Sequence, residues 1–361
     1  MNISVPNYRH VDEMRPWSDR EHRLACVAVT PESPDVMTFT FRPDHSGLWF
    51  RYLPGQFVTL ELPVGPEPVL RTYTLSSSPS RPYTVAVTVK AQAGSIGTRW
   101  MFDHLKPGMV LKAIGPLGDF SYVRHPGRKY LFISAGSGIT PIMSMTRDLG
   151  DRTPDSDIAF VHCARTPDDI IFRAELEAKA REMENLTLGF VVRQAARGQL
   201  WSGLRGRIDK AKIALLAPDF LDRTVFCCGP EPFMATVRES LASAGFDMKN
   251  YHEETFQPVK PEPPVVVADP SGEAAPTKVT FAMSGKEGAC EPGHTLLQAA
   301  RAAGVRIGAA CESGLCGTCK VMKLSGEVEM NHNGGILDDE IDEGYVLACC
   351  SRPKGDVEIE A

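Results

Sequence analysis

Residues 311–319 read Cys311-Glu312-Ser313-Gly314-Leu315-Cys316-Gly317-Thr318-Cys319, and a distant cysteine, Cys349, follows further along the chain. Three thiolates on one short loop with a remote fourth are typical of the ligands of a 2Fe–2S cluster. Thiolate sulfur suits redox-active iron, and Gly314 and Gly317 permit backbone conformations that bring amide N–H groups close to the cluster sulfurs. The spacing therefore predicts a 2Fe–2S cluster held by Cys311, Cys316, Cys319 and Cys349.

Other uses of these cysteines are a structural zinc site, disulfides, or unrelated buried thiols. Zinc sites usually pair two Cys-x2-Cys hooks, and this sequence has one, Cys316 to Cys319. Cys350 directly follows Cys349, and neighbouring residues of an extended segment point to opposite sides. Only one of these two thiols can therefore face the iron.

The composition is that of an ordinary globular protein with two or three domains: 361 residues, 43% hydrophobic and 23% charged. The first residues are polar, and the sequence has no apolar run of the length that spans a bilayer. We therefore expect a cytoplasmic protein, with no membrane partner, whose ten cysteines are ligands or buried thiols. The net charge of −6 argues against a nucleic-acid partner.

Acidic residues are concentrated near the C-terminus. Residues 277–361 hold eight Lys and Arg against thirteen Asp and Glu, with five of the acidic residues between 338 and 343. The segment is either a solvated acidic face or a surface that steers a basic redox partner at low salt, and the sequence leaves both interpretations open.

Prolines mark the clearest domain boundary. They crowd residues 258–264 and recur in 269–276, which predicts an extended linker over 257–276. After it, residues 277–361 predict a compact α+β module of β-grasp type with strands at 278–283 and 357–359 and a helix at 295–303.

Two different patterns precede the linker, after an N-terminal extension over 1–21. Residues 22–125 contain short alternating strands separated by Gly and Pro turns, which predicts an antiparallel β-barrel domain. Residues 126–256 alternate strands with helical patterns, which predicts an α/β domain with a parallel sheet.

A glycine-rich turn follows the first strand of the predicted parallel sheet. It reads Gly136-Ser137-Gly138-Ile139-Thr140-Pro141 and leads into an apolar helix. Two glycines let the backbone approach a pyrophosphate, and a helix N-terminus offers free N–H groups and a partial positive charge. Pro141 suits a first helical turn. A simple strand-to-helix turn without a ligand is the alternative.

The last strand of that sheet ends in Cys228-Gly229-Pro230. The carboxyl end of a strand is where open α/β sheets bind ligands. Cys228 is otherwise a plain core residue, but its combination with the glycine turn favours a functional role.

In the predicted barrel, Arg71 and Tyr73 share one face of a strand because their spacing is two residues. Arginine binds phosphate through two donors, tyrosine stacks on planar rings, and Thr74 adds a hydroxyl. Further on, the stretch 94–101, with Gly97 and Thr98, precedes a predicted helix and can offer amides and a hydroxyl to a second phosphate. An exposed Arg–Tyr pair without a ligand is the alternative.

The strand Arg71–Thr74, the turn Gly136–Pro141 and the strand end Cys228–Pro230, followed by the cysteine motif, resemble the ferredoxin–NADP reductase superfamily. Within it the chain looks like the reductase components of multicomponent oxygenases, and most like those serving Rieske oxygenases that demethylate quaternary amines such as glycine betaine and stachydrine. The resemblance covers the chain after about residue 20. The small residue before Cys349 matches the family's fourth ligand, which implies Cys349 and not Cys350.

The resemblance implies a flavin in the barrel, FAD in preference to FMN. Tyr73 would flank the isoalloxazine, Arg71 and Thr98 would approach phosphate, and Thr74 would lie near flavin N5. Further implied cofactor-binding residues of the barrel domain are Ser76, Thr88, Lys90 and Gly97.

The same resemblance implies a nicotinamide nucleotide at the parallel sheet, with Gly136, Gly138, Thr140, Pro141, Gly229 and Pro230 around it. Phe256 would cover the flavin until nicotinamide displaces it. Asp169 near the ribose favours NADH, whereas Arg165 could pair with the 2′-phosphate of NADPH; the family comparison favours NADH.

The implied function is an oxidoreductase that passes electrons from NADH to flavin, then to the 2Fe–2S cluster, then to a separate Rieske-type oxygenase. The residues expected at the reacting atoms are Thr74, Cys228 and Glu254. An electron donor to a different acceptor, such as a hybrid-cluster protein, and a non-enzymatic iron–sulfur carrier are the alternatives.

Overall fold

The structure, a computed structural model, contains a barrel, a parallel sheet and a smaller mixed sheet. It describes residues 14–16, 22–45, 47–66, 68–91, 94–195, 199–256, 276–309, 311–312, 314, 316–332, 335–336 and 338–361. Most of the predicted N-terminal extension and of the predicted linker lies outside the described residues.

The N-terminal part of the chain is mainly β. Its elements are β1 (Arg15–Pro16), β2 (His22–Ser33), β3 (Val36–Pro43), β4 (Leu48–Trp49), β5 (Phe57–Leu62), β6 (Val69–Thr74), β7 (Val85–Lys90), α1 (Ile96–His104) and β8 (Val110–Leu117). Six of the strands pair in the order β6-β5-β8-β2-β3-β7, antiparallel throughout. A bridge between Leu75 and Val87 joins the two edge strands, so the sheet closes into the predicted barrel.

The middle part of the chain alternates strands and helices. Its elements are β9 (Lys129–Ala135), α2 (Ile139–Arg152), β10 (Asp157–Ala164), α3 (Arg173–Glu182), β11 (Leu186–Val192), β12 (Leu204–Arg205), α4 (Lys210–Leu216), β13 (Thr224–Cys228), α5 (Glu231–Ala242) and β14 (Tyr251–Glu254). All strands are parallel, in the order β12-β11-β10-β9-β13-β14. The chain leaves β9 in one direction and returns on its other side with β13, which makes the gap between their carboxyl ends a topological switch point.

The C-terminal part is a mixed sheet with a covering helix. Its elements are β15 (Thr277–Phe281), β16 (Lys286–Cys290), α6 (Leu296–Ala302), β17 (Lys320–Ser325), β18 (Val328–Met330), α7 (Asp338–Asp342), β19 (Tyr345–Leu347), β20 (Ser351–Pro353) and β21 (Val357–Ile359). Five strands pair in the order β16-β15-β21-β17-β19, and β15 with β21 is a parallel pair. This arrangement agrees with the predicted β-grasp-like module, and its helix begins after a capping box between Thr295 and Gln298.

The buried side chains show how the three parts are connected. Val36 and Phe120 belong to the barrel part of the chain, but they pack in one apolar cluster with Phe132, Ile142 and other side chains of the parallel sheet and α2. The C-terminal sheet and α6 have a cluster whose buried members all come from residues 279–359. The barrel has a core of its own and also contributes Val36 and Phe120 to the core of the parallel sheet, whereas the buried cluster of the C-terminal sheet takes no side chain from the other two parts. None of the helices in the described ranges combines the length and the apolar character needed to cross a bilayer.

Candidate functional site

The glycine turn lies at the switch point, between the carboxyl ends of β9 and β13. Gly136 has a φ of +54°, and no atom lies within 4 Å of the place where its Cβ would stand. Gly138 lies against β13, because a Cβ on it would be 2.2 Å from the carbonyl oxygen of Cys228. The two strand ends are thus close together, with open space on the side of Gly136.

The helix α2 begins at this turn. Its N-cap, Gly138, has no side chain to satisfy the first amides, Pro141 occupies the first turn, and the hydroxyl of Thr140 donates to the Ser137 carbonyl. The amide of Ile139 donates to the carbonyls of Gly136 and Ser137, so this end of the helix offers an anion its dipole and the open space beside Gly136. The turn fits the pyrophosphate of a nicotinamide nucleotide.

Four polar side chains stand in one row across the sheet, just before the strand ends. His162 pairs in register with Ser134, Ser134 with Cys228, and Cys228 with Glu254. Side chains in register on neighbouring strands share one face of the sheet. The Nδ1 atom of His162 lies 2.9 Å from the Ser134 hydroxyl oxygen. Cys228 and Glu254 were predicted from the sequence. Ser134 and His162 were not, although alternation along their strands places both side chains on the same face of the sheet as Cys228.

Burial decides the charge state of this row. Glu254 is buried, its Oε2 has no partner among the described residues, and desolvation raises the pKa of its carboxyl to about 8. Burial, with Glu254 nearby, also raises the pKa of the Cys228 thiol well above its usual value. Burial lowers the pKa of His162 to about 3, so its imidazole is neutral. At neutral pH the row holds a protonated carboxyl, a thiol and a neutral imidazole.

The end of β6 fits a flavin. The buried hydroxyl of Tyr73 has no partner within the described part of the chain, and burial raises its pKa. Arg71 lies against the first turn of α1, where a Cβ on Gly97 would be 3.0 Å from Arg71 Cγ. Ser95 caps that helix by accepting from the Thr98 amide. A guanidinium beside a helix N-terminus suits a phosphate, and the orphan hydroxyl suits the polar part of a flavin.

Ser76 and Thr88, implied as cofactor-binding, bond to each other. Their hydroxyl oxygens are 2.8 Å apart, and Thr88 is also 2.8 Å from the hydroxyl of Thr38. Lys90 forms an ion pair of 3.0 Å with Asp35 at the edge of the barrel. The structure thus gives these three residues partners in the protein, on the barrel side of the glycine turn.

The residues expected around the nucleotide ribose lie beyond the end of β10. Arg165 is exposed and lies 4.0 Å from a carboxylate oxygen of Asp35. One oxygen of Asp169 accepts from the amide and the hydroxyl of Thr166, which closes a capping box. Phe256 follows β14 with 45% of its surface exposed. Gly229 and Pro230 lead into α5, with Pro230 as its N-cap.

The cysteine loop has amide groups directed at sulfur. The amide of Gly314 donates to Cys349 Sγ at 3.3 Å, and the amide of Cys316 donates to Cys311 Sγ at 3.2 Å. Gly314 and Gly317 have φ of +71° and +68°, the left-handed region in which glycine is least strained. A Cβ on Gly317 would also lie 2.7 Å from the Gly335 carbonyl oxygen. The backbone is therefore shaped to place donors around the thiolates, as expected for a cluster.

The four thiols form two pairs. Cys311 lies against Cys316 and raises the pKa of that thiol, and Cys349 lies against Cys319 and raises the pKa of that thiol. Within the described residues, no three His, Cys, Asp or Glu side chains are grouped to bind a single metal ion. Two pairs suit two irons better than one zinc, since a 2Fe–2S cluster takes two protein ligands on each iron. The donor set fits the cluster.

Cys350 has a different environment from Cys349. Its thiol bonds with that of Cys349 and lies 3.7 Å from the Leu347 carbonyl oxygen, whereas Cys349 Sγ also bonds with Cys319 and accepts the amide of Gly314. All ten cysteines lie in the described ranges, and none forms a disulfide. Cys349 is therefore the better placed of the two neighbours, and its role as fourth ligand stays a prediction.

The cysteine loop lies beside the barrel. A Cβ on Gly317 would be 3.2 Å from Leu117 Cδ1, and a Cβ on Gly308 would be 3.7 Å from Leu70 Cδ1. Leu117 ends β8, and Leu70 directly precedes Arg71 on β6. The strand that fits the flavin is thus also the strand that the cluster domain approaches.

A flavin-binding barrel, a nucleotide-binding parallel sheet and a 2Fe–2S domain define an iron–sulfur flavoprotein oxidoreductase. Comparisons with known families match all three parts. Residues 24–122 match the oxidoreductase FAD-binding domain, residues 132–239 the oxidoreductase NAD-binding domain, and residues 279–354 the 2Fe–2S iron–sulfur cluster binding domain.

Similar proteins match nearly the whole chain. The stachydrine N-demethylase reductase subunit of Rhizobium meliloti is 50% identical over 96% of this chain and 98% of its own length. The glycine betaine monooxygenase reductase subunit of Pseudomonas aeruginosa is 46% identical over 95% and 96%. The solved structure of phthalate dioxygenase reductase covers 95% of this chain and 98% of its own, with a TM-score of 0.58 at 22% identity, and so shows the fold.

The chain belongs to the family of these reductase subunits, as the resemblance of its motifs predicted. It is an oxidoreductase that uses FAD, NADH and a 2Fe–2S cluster. The predictions of the three-part fold and of these cofactors are confirmed.

Proposed function

We propose that this protein supplies electrons from NADH to a separate Rieske-type oxygenase component, one that demethylates a quaternary amine. The observation that carries the proposal is the adjacency along β6: Gly308 of the cluster domain approaches Leu70, and Arg71 and Tyr73 follow on the same strand. When bound, the flavin takes two electrons from NADH as a hydride and releases them singly to the cluster. The two relatives of known activity serve a stachydrine N-demethylase and a glycine betaine monooxygenase.

The four side chains of the row across the sheet lie where we expect the nicotinamide to meet the flavin. With a pKa of about 8, Glu254 is mostly protonated at neutral pH and offers a proton donor in a buried position. The Cys228 thiol beside it is neutral and small. We infer that Glu254 and Cys228 orient the nicotinamide and exclude water, while Thr74, buried at the end of β6, offers its hydroxyl on the flavin side.

The other predicted roles follow the same division. Gly136, Gly138, Thr140 and Pro141 would receive the pyrophosphate of NADH, and Arg71, Gly97 and Thr98 a phosphate of FAD. Cys311, Cys316, Cys319 and Cys349 would hold the cluster. We assign these roles to domains of residues 22–125, 126–256 and 277–361, joined by the proline-rich linker, in a cytoplasmic protein.

The acidic segment near the C-terminus is the proposed contact for the oxygenase. Exposed Asp339, with the half-buried Glu340, belongs to α7, and Lys320 forms an ion pair with Glu340. Negative charge around the cluster domain would attract a basic partner and would make electron delivery depend on ionic strength.

Reconstitution tests the proposal. The holoprotein is mixed with NADH and with a Rieske oxygenase specific for stachydrine or for glycine betaine, and formaldehyde and demethylated product are measured. Coupled demethylation that weakens as salt rises supports the proposal. Rapid reduction of cytochrome c without coupled demethylation by either oxygenase, combined with reduction of a hybrid-cluster protein, would assign it to the alternative acceptor.

A further inference from the structure

The helix α2 contacts two parts of the reaction site at once. Its N-terminus is the glycine turn that fits the nucleotide, and its side faces the segment that follows the flavin strand β6. Arg147 on that side donates to the carbonyl oxygen of Ser76, two residues after Thr74. Ser144, one turn earlier, donates to the carbonyl oxygen of Ser77 at 2.7 Å. Consecutive carbonyls beyond the flavin strand are thus held by one helix.

The Arg147 guanidinium is fixed from several directions. Its Nε and Nη2 donate to the two carboxylate oxygens of Glu175 at 2.8 and 2.6 Å. Its Cζ atom lies over the ring of Phe172, 4.7 Å from the ring centre, and Phe172 has a φ of +57°. Its side chain is only 15% exposed. The bidentate ion pair uses two of the five N–H donors of the guanidinium, and a third, on Nη1, donates to Ser76.

Ser76 is held on its other side as well. Its hydroxyl bonds with Thr88, and the chain of hydroxyls continues through Thr38 to a carboxylate oxygen of Glu32. Arg147 stabilises the charged form of Glu32, whose pKa burial raises. The backbone at Ser76 is therefore clamped between α2 and the barrel wall, which is more than a surface ion pair supplies.

We propose that Arg147 is a positioning residue for hydride transfer. It fixes the end of β6, and so Thr74 and the flavin edge, relative to the helix whose N-terminus holds the nucleotide. Hydride transfer needs the donor and acceptor atoms at contact distance, and a displacement of about 1 Å costs on the order of 100-fold in rate. Electron transfer from the flavin to the cluster makes no bond between reacting atoms and does not pass through α2. This inference rests on the family's oxidoreductase activity and not on which oxygenase accepts the electrons.

The chain offers a matched control. Arg81 also joins the segment after β6 to α2, through a bidentate ion pair with Asp151 at 2.8 and 3.0 Å. It is 67% exposed and contacts no carbonyl of Ser76 or Ser77 in the described hydrogen bonds. Arg81→Met and Arg147→Met each remove one bidentate ion pair made by α2, the first with the segment after β6 and the second with Glu175 of α3, and only Arg147→Met also releases Ser76.

The test uses rapid-mixing kinetics on the holoproteins. In Arg147→Met we expect the rate of flavin reduction by NADH to fall roughly 10- to 100-fold. FAD content, the NADH dissociation constant and the flavin-to-cluster rate after photoreduction should stay within about twofold of the parent, and the isotope effect from 4-deuterated NADH on steady-state turnover should rise. Arg81→Met should match the parent in every measurement.

A second variant separates positioning from folding. In Arg147→Ala, added guanidinium should restore much of the flavin-reduction rate, and methylammonium, which lacks the planar fork, should not. Equal loss of flavin reduction and of flavin-to-cluster transfer would overturn the proposal. So would an unchanged flavin-reduction rate, an equal loss in Arg81→Met, or loss of FAD from both Arg147 variants. None of these readouts involves an oxygenase, so failure here is distinct from failure of the proposed function.

Discussion

The junction between the barrel and the parallel sheet differs sharply from the contact between the barrel and the cluster domain. Across the first, Val36 and Phe120 join the core of the sheet, and Asp148 of α2 accepts from Ser78 and Tyr122 of the barrel side. Across the second, Leu70 and Leu117 meet glycine positions of a domain whose buried core is its own. The first contact is part of a buried core, whereas the second joins two domains that keep separate buried clusters.

The difference corresponds to the two reactions on either side of the flavin. A hydride moves only between atoms in contact, so the nucleotide and flavin platforms must be fixed to each other within a fraction of an ångström. Single electrons need proximity without a bond, so it is sufficient that the cluster domain lies close to the flavin strand. We therefore expect changes at the barrel–sheet junction to act on NADH oxidation, and changes in the cluster domain to act on electron delivery.

Loss of the cluster should be the largest effect and should leave the junction between the barrel and the parallel sheet intact. In Cys349→Ser, a hydroxyl replaces the sulfur that accepts the Gly314 amide, so the visible absorbance of the cluster and cytochrome c reduction should both be lost. Flavin reduction by NADH should remain within about twofold of the parent. Cys350→Ser is the control and should keep cluster and activity. The opposite pattern would make Cys350 the ligand.

The second largest effect, on stability and on NADH binding, is expected at Gly138 in the glycine turn that fits the nucleotide. An alanine Cβ would lie 2.2 Å from the Cys228 carbonyl oxygen, so the turn and β13 must separate. We expect Gly138→Ala to cost roughly 1–3 kcal/mol in unfolding free energy and to weaken NADH binding about tenfold or more. Cluster absorbance should not change.

Gly136→Ala is the comparison for that prediction. Its Cβ meets no atom within 4 Å, but its φ of +54° is strained for alanine. It reports the cost of backbone strain alone, about 1–2 kcal/mol. If the two variants bind NADH equally well, the close approach of Gly138 to Cys228 is not what shapes the turn.

The smallest effect concerns the pH dependence of stability that arises from Glu254 in the parallel sheet. Because burial raises the pKa of Glu254 from 4.5 to about 8, the folded protein binds a proton that the unfolded chain releases between these values. Stability from this group is therefore present below about pH 4.5 and is lost as the pH rises through about 8. Glu254→Gln cannot titrate and should escape this loss.

Thermal melts of parent and variant measure that difference. The melting temperature of Glu254→Gln relative to the parent should rise by a few degrees between pH 5 and pH 9. The comparison is made as a difference because His162, whose pKa burial lowers to about 3, makes both proteins less stable in acid. Parallel pH profiles would show that Glu254 is ionised in the folded protein.

The sequence was sufficient for the features that local patterns encode. Short alternating strands distinguished the barrel from the parallel sheet, where strands alternate with helical patterns. The glycine turn and the loop with Cys311, Cys316 and Cys319 are contiguous motifs, so they can be recognised without knowledge of the fold. The register of strands is not local. The row from His162 to Glu254 depends on which strands become neighbours. Only Cys228 and Glu254, which belong to stretches that resemble the family, could therefore be predicted from the sequence.

Side-chain pairings across the domains were also out of reach. Nothing in the sequence around Arg147 indicates that it reaches the Ser76 carbonyl, since that contact exists only once α2 lies on the barrel. Lys90 and Asp169 were read as cofactor contacts, and the structure gives each a protein partner, Asp35 and Thr166. The Thr166–Asp169 spacing is that of a capping box, which is a signal that the sequence did contain.

The separate core of the C-terminal sheet has a consequence for how such chains are assembled. A module that buries its own apolar side chains can be joined to, or removed from, a flavoprotein gene without opening a buried core, because the change affects only half-buried side chains such as Leu70 and Leu117. The same exchange at the barrel–sheet boundary would uncover Val36 and Phe120 on one fragment and their partners on the other. Recombination should therefore tolerate new junctions after residue 256 and reject them near residue 125, which makes the electron outlet the interchangeable part of the molecule.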